Sequence, residues 1–282
     1  MRLGFVYTII TPENKLLLEA ARKRGMEVAK LSDAEMALDI TARPAEKYDA
    51  VLQRSSSYMR SLYSTRYFEQ AGVPVVNSYA VQSLCGNKVL TTMRLMEHDV
   101  PTPRTLIAFT EEGAMRAIEQ LGYPVVMKPV IGSWARLLAK INDREAAQAI
   151  IEHKEELGNF IHKVYYLQEY IDKPGRDIRA FTAGEEVLCA IYRNAGKGEW
   201  LTNTARGAKA SNCPVSDELG EVVAKAARAV GEGLLAVDVM ESERGLLVHE
   251  VNHTMEFRNS IQPTGVDIPA RVIEYVQGIA KK

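Results

Sequence analysis

Cysteine is scarce in this chain: Cys85, Cys189 and Cys213 are the only three in 282 residues, widely spaced and without a C-x-x-C pair. Such an odd set builds neither a disulfide framework nor a zinc ribbon, so small buried thiols are expected. Excess charge is lacking as well. Lys plus Arg number 35 against 36 for Asp plus Glu, a net charge of -1, so nothing draws the whole chain towards nucleic acid. No run approaches the roughly 20 uninterrupted apolar residues of a membrane span. The opening stretch MRLGFVYTIITPEN has neither a long apolar segment nor a small-residue cleavage site, so no signal peptide is read. A cytoplasmic protein without membrane or nucleic-acid partners is the default expectation. Repeats and low-complexity tracts are absent too.

What is present is ordinary globular material, 46% hydrophobic and 25% charged, long enough for two domains or one divided α/β body. The first part alternates short apolar strands (Leu3 to Ile9, Val28 to Leu31, Ala50 to Gln53, Val73 to Val76) with amphipathic helices, the pattern of an open α/β sheet. A helix from about Gly86 to His98 runs into Pro101-Thr102-Pro103, where fixed φ values and lost donors mark a joint. Beyond it, strands at Thr105 to Phe109, Val125 to Lys128, Gln168 to Ile171, Ile178 to Thr182 and Val187 to Tyr192 follow short turns, so the pairing becomes largely antiparallel. A helix from Ser216 to Val230 precedes a hairpin, Leu234 to Met240 and Leu246 to Asn252, and an amphipathic helix starts near Asp267-Ile268-Pro269.

The hairpin carries the first candidate chemistry. Asp238 lies in LLAVDVM, and Glu250 and Asn252 share one face of LLVHEVN. Three oxygen-bearing side chains in an apolar hairpin are costly unless a cation or a hydrogen-bond network compensates. Two carboxylates and an amide suit magnesium, which keeps positions for water and phosphate; a polar row facing solvent is the other reading. His249 to His253 also spells H-E-x-x-H, the zinc-protease motif. That chemistry needs a helix, whereas a strand predicted here holds the two histidines roughly 13 Å apart.

Lys88, in Cys-Gly-Asn-Lys, and Lys128, ending Val-Val-Met-Lys-Pro, stand where phosphate can be met. The loop from Gly132 through Ser133, Trp134, Ala135 and Arg136 to Leu137 and Leu138 can cover phosphates with backbone N-H groups, although it matches neither nucleotide-binding glycine pattern. Gln168, Glu169, Tyr170 and Ile171 offer a strand edge for a purine, and Asp177 and Arg179 share a face suited to ribose; surface salt bridges are the alternative. Arg193, Asn203 and Arg206, with Arg258, Asn259 and Ser260, suit an anionic substrate.

Together GNK at Lys88, VVMKP, GSWARLLAK, QEYI with PGRDIR, TNTARG, and Asp238 with HEVN resemble the ATP-grasp ligases of the RimK type over nearly the whole chain. VIGSWARLLAK, IIEHKEELG and VNHTMEFRNS look most like the LysX branch, ligases that join α-aminoadipate to the amino-group carrier protein LysW in lysine biosynthesis. The resemblance implies an α/β (α+β) ATP-grasp fold: an N-terminal open α/β pre-ATP-grasp domain over 1-86, a central lid domain over 87-167, and a C-terminal antiparallel-sheet domain over 168-282. It implies ATP between two antiparallel sheets, and magnesium, as two ions, on Asp238, Glu250 and Asn252. Lys88 and Lys128 would contact phosphates under Gly132 to Leu138. Gln168 to Ile171, Asp177, Arg179 and Asn203 would line the nucleotide. Arg193, Thr204, Ala205, Glu256, Phe257, Arg258, Asn259 and Ser260 would bind the amino acid, with Lys128 and Arg206 catalytic and Arg206 stabilising the tetrahedral oxyanion. A homotetramer or dimer is also implied.

Within that family Asn259-Ser260 sides with α-aminoadipate, whereas Gly-Phe there marks the glutamate-specific ArgX relatives. One methylene is generally worth only about 1 to 3 kcal/mol, so an ArgX-type or dual lysine and arginine enzyme stays open. A protein-tail glutamylase and a non-catalytic ATP-binding scaffold are further alternatives. Two departures from the family pattern are Asn87, where relatives often carry Asp, and Ala135, where many carry a second loop glycine.

Overall fold

The protein is described from a computed structural model covering residues 1–42, 48–132, 136–158, 163–196, 198–202 and 207–281. Its first layer is a parallel sheet in the order β2-β1-β3-β4, made of β1 (Arg2–Tyr7), β2 (Glu27–Ser32), β3 (Ala50–Arg54) and β4 (Val75–Val76). Leu3, Phe5, Ala50 and Leu52 point into one core with Leu17 and Leu18 of α1 (Pro12–Lys23), while Val6 and Val51 face the other with Phe68 of α2 (Tyr58–Gln70). Parallel strands covered on both faces read as continuous apolar runs, which is why they stand out in the sequence.

The central sheet, β5-β8-β6-β7, is antiparallel: β5 (Thr105–Ala108), β8 (Tyr165–Glu169), β6 (Val125–Lys128) and β7 (Ala139–Ile141). Here the strand period of two divides labour cleanly. Val125, Met127, Tyr165 and Leu167 pack under α5 (Glu111–Leu121) and α6 (Arg144–Leu157), leaving the alternate residues Val126, Lys128, Tyr166 and Gln168 for the opposite face. β8 crosses the expected 167/168 boundary and pairs with β5 and β6. The central sheet therefore includes the whole of β8, because backbone pairing, not the change of turn composition, defines the layer.

The third sheet, β11-β10-β9-β12-β13, contains β9 (Arg176–Ala183), β10 (Glu186–Asn194), β11 (Lys209–Cys213), β12 (Leu234–Ser242) and β13 (Gly245–Asn252), all antiparallel. Ile178, Ala190, Leu235, Val237 and Val248 face α7 (Asp217–Val230). That helix begins at Ser216, whose hydroxyl accepts from the Leu219 N-H, and ends on Gly231 at φ 98°, a left-handed cap that glycine adopts without a Cβ clash. On the opposite face Phe181, Ile191 and Ala236 join the core of the first layer, with Phe257 and α9 (Ile268–Ile279). Asn77 fastens the two layers: its amide donates to the Leu234 and His253 carbonyls and accepts from the Leu234 N-H. All three cysteines are buried free thiols. Among the described residues no helix is long and apolar enough to cross a membrane.

Candidate active site

A cavity of about 780 Å³ lies where the three layers meet, within the range of a small-molecule site. The central sheet contributes Lys128. It ends β6 on the cavity face, 6% exposed, and its ammonium donates to Gln168 Oε1 at 2.6 Å. Burial pushes the Lys128 ammonium down to about 8, opposed by Glu250. Lys88 approaches from the first turn of α4 (Lys88–Glu97), where Asn87 caps the helix by accepting from the Val89 and Leu90 N-H groups. Asparagine thus does the capping work expected of an aspartate there. Lys88 Nζ donates to the Gly132 carbonyl at 2.8 Å and lies 3.3 Å from Glu250.

On the third sheet the strand period gathers charge. Arg179 of β9 grips Asp238 of β12 with two hydrogen bonds of 2.7 and 2.8 Å, and Arg193 of β10 grips Asp177 of β9 equally, at 2.7 and 2.8 Å. A further contact of 3.2 Å joins Arg193 to Asp238, linking both pairs. Thr202 donates to Asp177, and Lys173 donates to Thr202 and lies 3.4 Å from Asp177. Burial resists the Asp238 charge, but the two guanidiniums outweigh it and hold this carboxyl well below the usual range.

Two of the expected ligand contacts have protein partners in this geometry. Asp177, 2% exposed, accepts from Arg193 and Thr202 and lies beside Lys173, so protein groups take its acceptor positions here, as Arg179 takes both oxygens of Asp238. Arg193, also 2% exposed, gives its fork to Asp177 instead of a substrate carboxylate. A buried carboxylate needs a cation more than either needs a ligand.

The β12-β13 hairpin brings the expected oxygen row together, with an irregularity. Asp238 pairs with Glu250 but Val239 pairs with Val248, leaving His249 as a bulged residue. Asn252 Nδ2 reaches Asp238 at 3.4 Å, while the half-buried Glu250 borders the cavity beside Lys88. As a strand, this segment cannot present its histidines as a zinc pair, as expected. Both ring nitrogens of His249 are buried without a hydrogen-bond partner among the described residues. Burial and the neighbouring Lys128 charge push its pKa well below the usual value, so it lines the cavity as a neutral ring.

The remaining expected residues divide. Tyr170 and Ile171 border the cavity; the Lys140 ammonium sits 3.8 Å over the Tyr170 ring. Glu169 accepts from the Arg104 backbone at 2.6 Å and pairs with Arg244. Gly132, Arg136, Leu137 and Leu138 line the opening; Ser133, Trp134 and Ala135 lie outside the described residues, as do Asn203, Thr204, Ala205 and Arg206. Glu256 lines the cavity. Phe257 is fully buried in the core shared with α1 and α9, so its side chain is packing and not a substrate contact. Arg258, Asn259 and Ser260 open the short helix α8 (Arg258–Thr264); Arg258 and Asn259 are exposed, Ser260 is 1% exposed, and none of them borders the described cavity.

The sequence reading missed Lys173 and a whole wall, and named His249 only as part of a zinc pattern. Thr11, Glu13, Arg54, Ser55 and Tyr58 follow the carboxyl ends of β1 and β3, where open parallel sheets place ligands. Strand order, which single-strand periodicity does not reveal, was the missing signal. Tyr58 packs against Gly86, where an added Cβ would collide with its ring, so glycine sets how closely this wall meets α4.

Polyphosphate and magnesium fit these residues. Lys88, Lys128 and Lys173 surround the oxygen row, and Glu250, Asp238 and Asn252 are hard oxygen donors. Among the described residues no three His, Cys, Asp or Glu side chains are placed to hold a metal by themselves; magnesium commonly takes further positions from phosphate and water.

Comparison with known proteins decides the family. Residues 85–276 match the RimK-like ATP-grasp domain, and residues 3–84 match the LysX preATP-grasp domain. The chain belongs to the RimK-like ATP-grasp family. It is a carboxylate-amine ligase of that fold, in a family that works with ATP and magnesium. It is 36% identical over 278 residues to the glutamate--LysW ligase ArgX of Sulfurisphaera tokodaii, covering 98% of each. It is also 36% identical over 274 residues to the alpha-aminoadipate--LysW ligase LysX of Saccharolobus solfataricus, covering 96% of this chain and 98% of that one. Among solved structures, an ATP-grasp RimK domain protein from Sphaerobacter thermophilus superposes with a TM-score of 0.83 at 27% identity, over 98% of this chain and 99% of the other.

Proposed function

We propose that the protein joins the α-amino group of α-aminoadipate to the side-chain carboxylate of the C-terminal glutamate of the carrier protein LysW, in lysine biosynthesis. The observation that carries the reaction is the meeting of Lys88, Lys128 and Lys173 with Glu250, Asp238 and Asn252 in one cavity. A carboxylate does not condense with an amine until one oxygen becomes a leaving group. The carrier carboxylate oxygen attacks the terminal phosphorus of ATP, ADP leaves, and the acyl phosphate formed is attacked by the amine with loss of phosphate. The lysines offset the charge of the transferring group, and Gly132 to Leu138 cover it. Glu250, Asp238 and Asn252 would hold magnesium, as one or two ions, which would supply neutralisation of phosphate charge. Arg206, by family resemblance, stabilises the tetrahedral oxyanion.

The choice of α-aminoadipate rests on Asn259-Ser260. Ser260 is buried at the start of α8, so its small size would act by setting how that helix packs rather than by touching the ligand. Glutamate is the second reading, favoured equally by identity to ArgX. ADP release with ATP, magnesium and LysW, compared across concentrations of the two amino acids, tests the choice. Preference for α-aminoadipate supports the lysine role, equal use means a dual enzyme, and no carrier-dependent release with either overturns the reading. Glu250→Gln is expected to reduce turnover at least about 100-fold while leaving the fold intact, as loss of one transition-state charge contact does; unchanged magnesium-dependent turnover would remove Glu250 from the site.

A further inference from the structure

We infer that Arg54 is the carboxylate-binding residue of the cavity, taking the α-carboxylate of an amino-acid moiety presented for ligation. The identity of that ligand rests on the ligase reading above; the site itself rests on geometry. Arg54 ends β3 on the wall formed by the carboxyl edge of the parallel sheet. Its hydrogen bonds go to neutral acceptors, Asn14 Oδ1 at 3.2 Å and the Met255 carbonyl at 3.1 Å, which fix the guanidinium between the first and third layers. Among the described residues it has no ion pair within 4 Å. Burial works against its charge, and Glu13 and Glu256 favour it without forming an ion pair with it.

Among the described residues the other arginines set into the cavity wall on the third sheet are matched: Arg193 and Arg179 lie on Asp177 and Asp238. An unmatched guanidinium at a cavity wall is costly to keep unless a ligand supplies the anion, and a carboxylate matches its planar fork in two parallel bonds. The turn after Arg54 is built to hold still. Ser55 and Thr8 donate to Asp33, Arg60 pairs with the same carboxylate at 3.0 Å, and the Ser56 N-H donates to Thr8. A rigid donor loses little freedom on binding.

Two sources carry this carboxylate: the free amino acid and the terminal residue of the carrier. Calorimetric titrations of Arg54→Gln and wild type separate them, using α-aminoadipate, glutamate and a synthetic peptide ending in glutamate, each with magnesium and a non-hydrolysable ATP analogue. A loss of about 10- to 100-fold for one class, with nucleotide affinity unchanged, is expected from removing a charge-assisted pair. Loss for the amino acids assigns Arg54 to the free substrate; loss for the peptide assigns it to the carrier. Unchanged affinities in a folded variant, equal loss of nucleotide affinity, or wild type binding none of the three overturns the inference. If Arg54→Gln does not fold, the ligand side decides: wild type must bind the α-amides of the same molecules about 10- to 100-fold more weakly than the acids, and equal binding again overturns it. Failure of the ligase reading shows separately, as absent carrier-dependent ADP release by wild type.

Discussion

The two walls that carry arginine into the cavity treat it in opposite ways. On the third sheet Arg193 and Arg179 meet Asp177 and Asp238 in a closed network, every member nearly buried. On the first sheet the hydrogen bonds of Arg54 among the described residues go to an amide oxygen and a backbone carbonyl. In the first arrangement both guanidiniums are matched within the protein and the geometry of three strands is fixed; the second leaves charge for something that arrives. Burial by itself therefore does not mark an arginine as functional. The partner set does.

The same chemical change on each wall exposes the difference. Arg193→Gln leaves Asp177 without its guanidinium and Asp238 with one fewer cation, and removing one partner of a buried pair is generally worth about 3 to 5 kcal/mol. Arg54→Gln removes hydrogen bonds to neutral groups and also an unmatched charge, so its effect on stability is expected within about 1 kcal/mol of zero. Urea unfolding midpoints of both variants measure this. Equal destabilisation would erase the contrast, and a large effect at Arg54 alone would invert it.

Lys128 stands between these extremes, a buried cation with the neutral partner Gln168. Its value of about 8 lies below that of a free lysine, so the unfolded chain binds more protons between the two values. Stability therefore rises with pH from about 8 towards about 10.5, and replacing Lys128 by Met should remove that rise. Nucleotide binding should move the opposite way. Protonated Lys128 falls from about nine-tenths at pH 7 to about one-tenth at pH 9, so if the charged form alone holds phosphate the Kd weakens about tenfold. A flat Kd across that range would mean that Lys128 keeps its charge through a partner that the free cavity does not provide.

The layers were legible because short apolar runs and turn signals survive in the sequence: the alternating strands and helices of the first layer, the strand Val125 to Lys128, and the helix after Ser216 were all readable. The phosphate lysines and the Asp238, Glu250 and Asn252 row were readable as a spacing on one hairpin. Partnership was not. Nothing local to Asp177 or Arg193 says that they will choose each other, because β10 returns beside β9 only after the turn is folded, and the first sheet's wall depends on strand order. Phe257 fails for a related reason: a motif names neighbours along the chain, whereas alternate positions of an irregular segment point to core and cavity in turn.

The smallest expected effect sharpens the comparison from outside. Arg228 and Glu185 form a 2.7 Å pair between α7 and the β9-β10 turn, with the two side chains 47% and 51% exposed. Its contact distance matches the one between Arg193 and Asp177, yet water screens both charges and competes for both. Arg228→Ala is therefore expected to change the unfolding free energy by less than about 1 kcal/mol, and by less still at high salt, where the Debye length shortens. The Arg193 effect should persist in the same salt because its partners lie out of reach of the ions. If salt instead weakens both variants' effects alike, solvent reaches the network, and the division between a closed wall and an open one loses its physical basis.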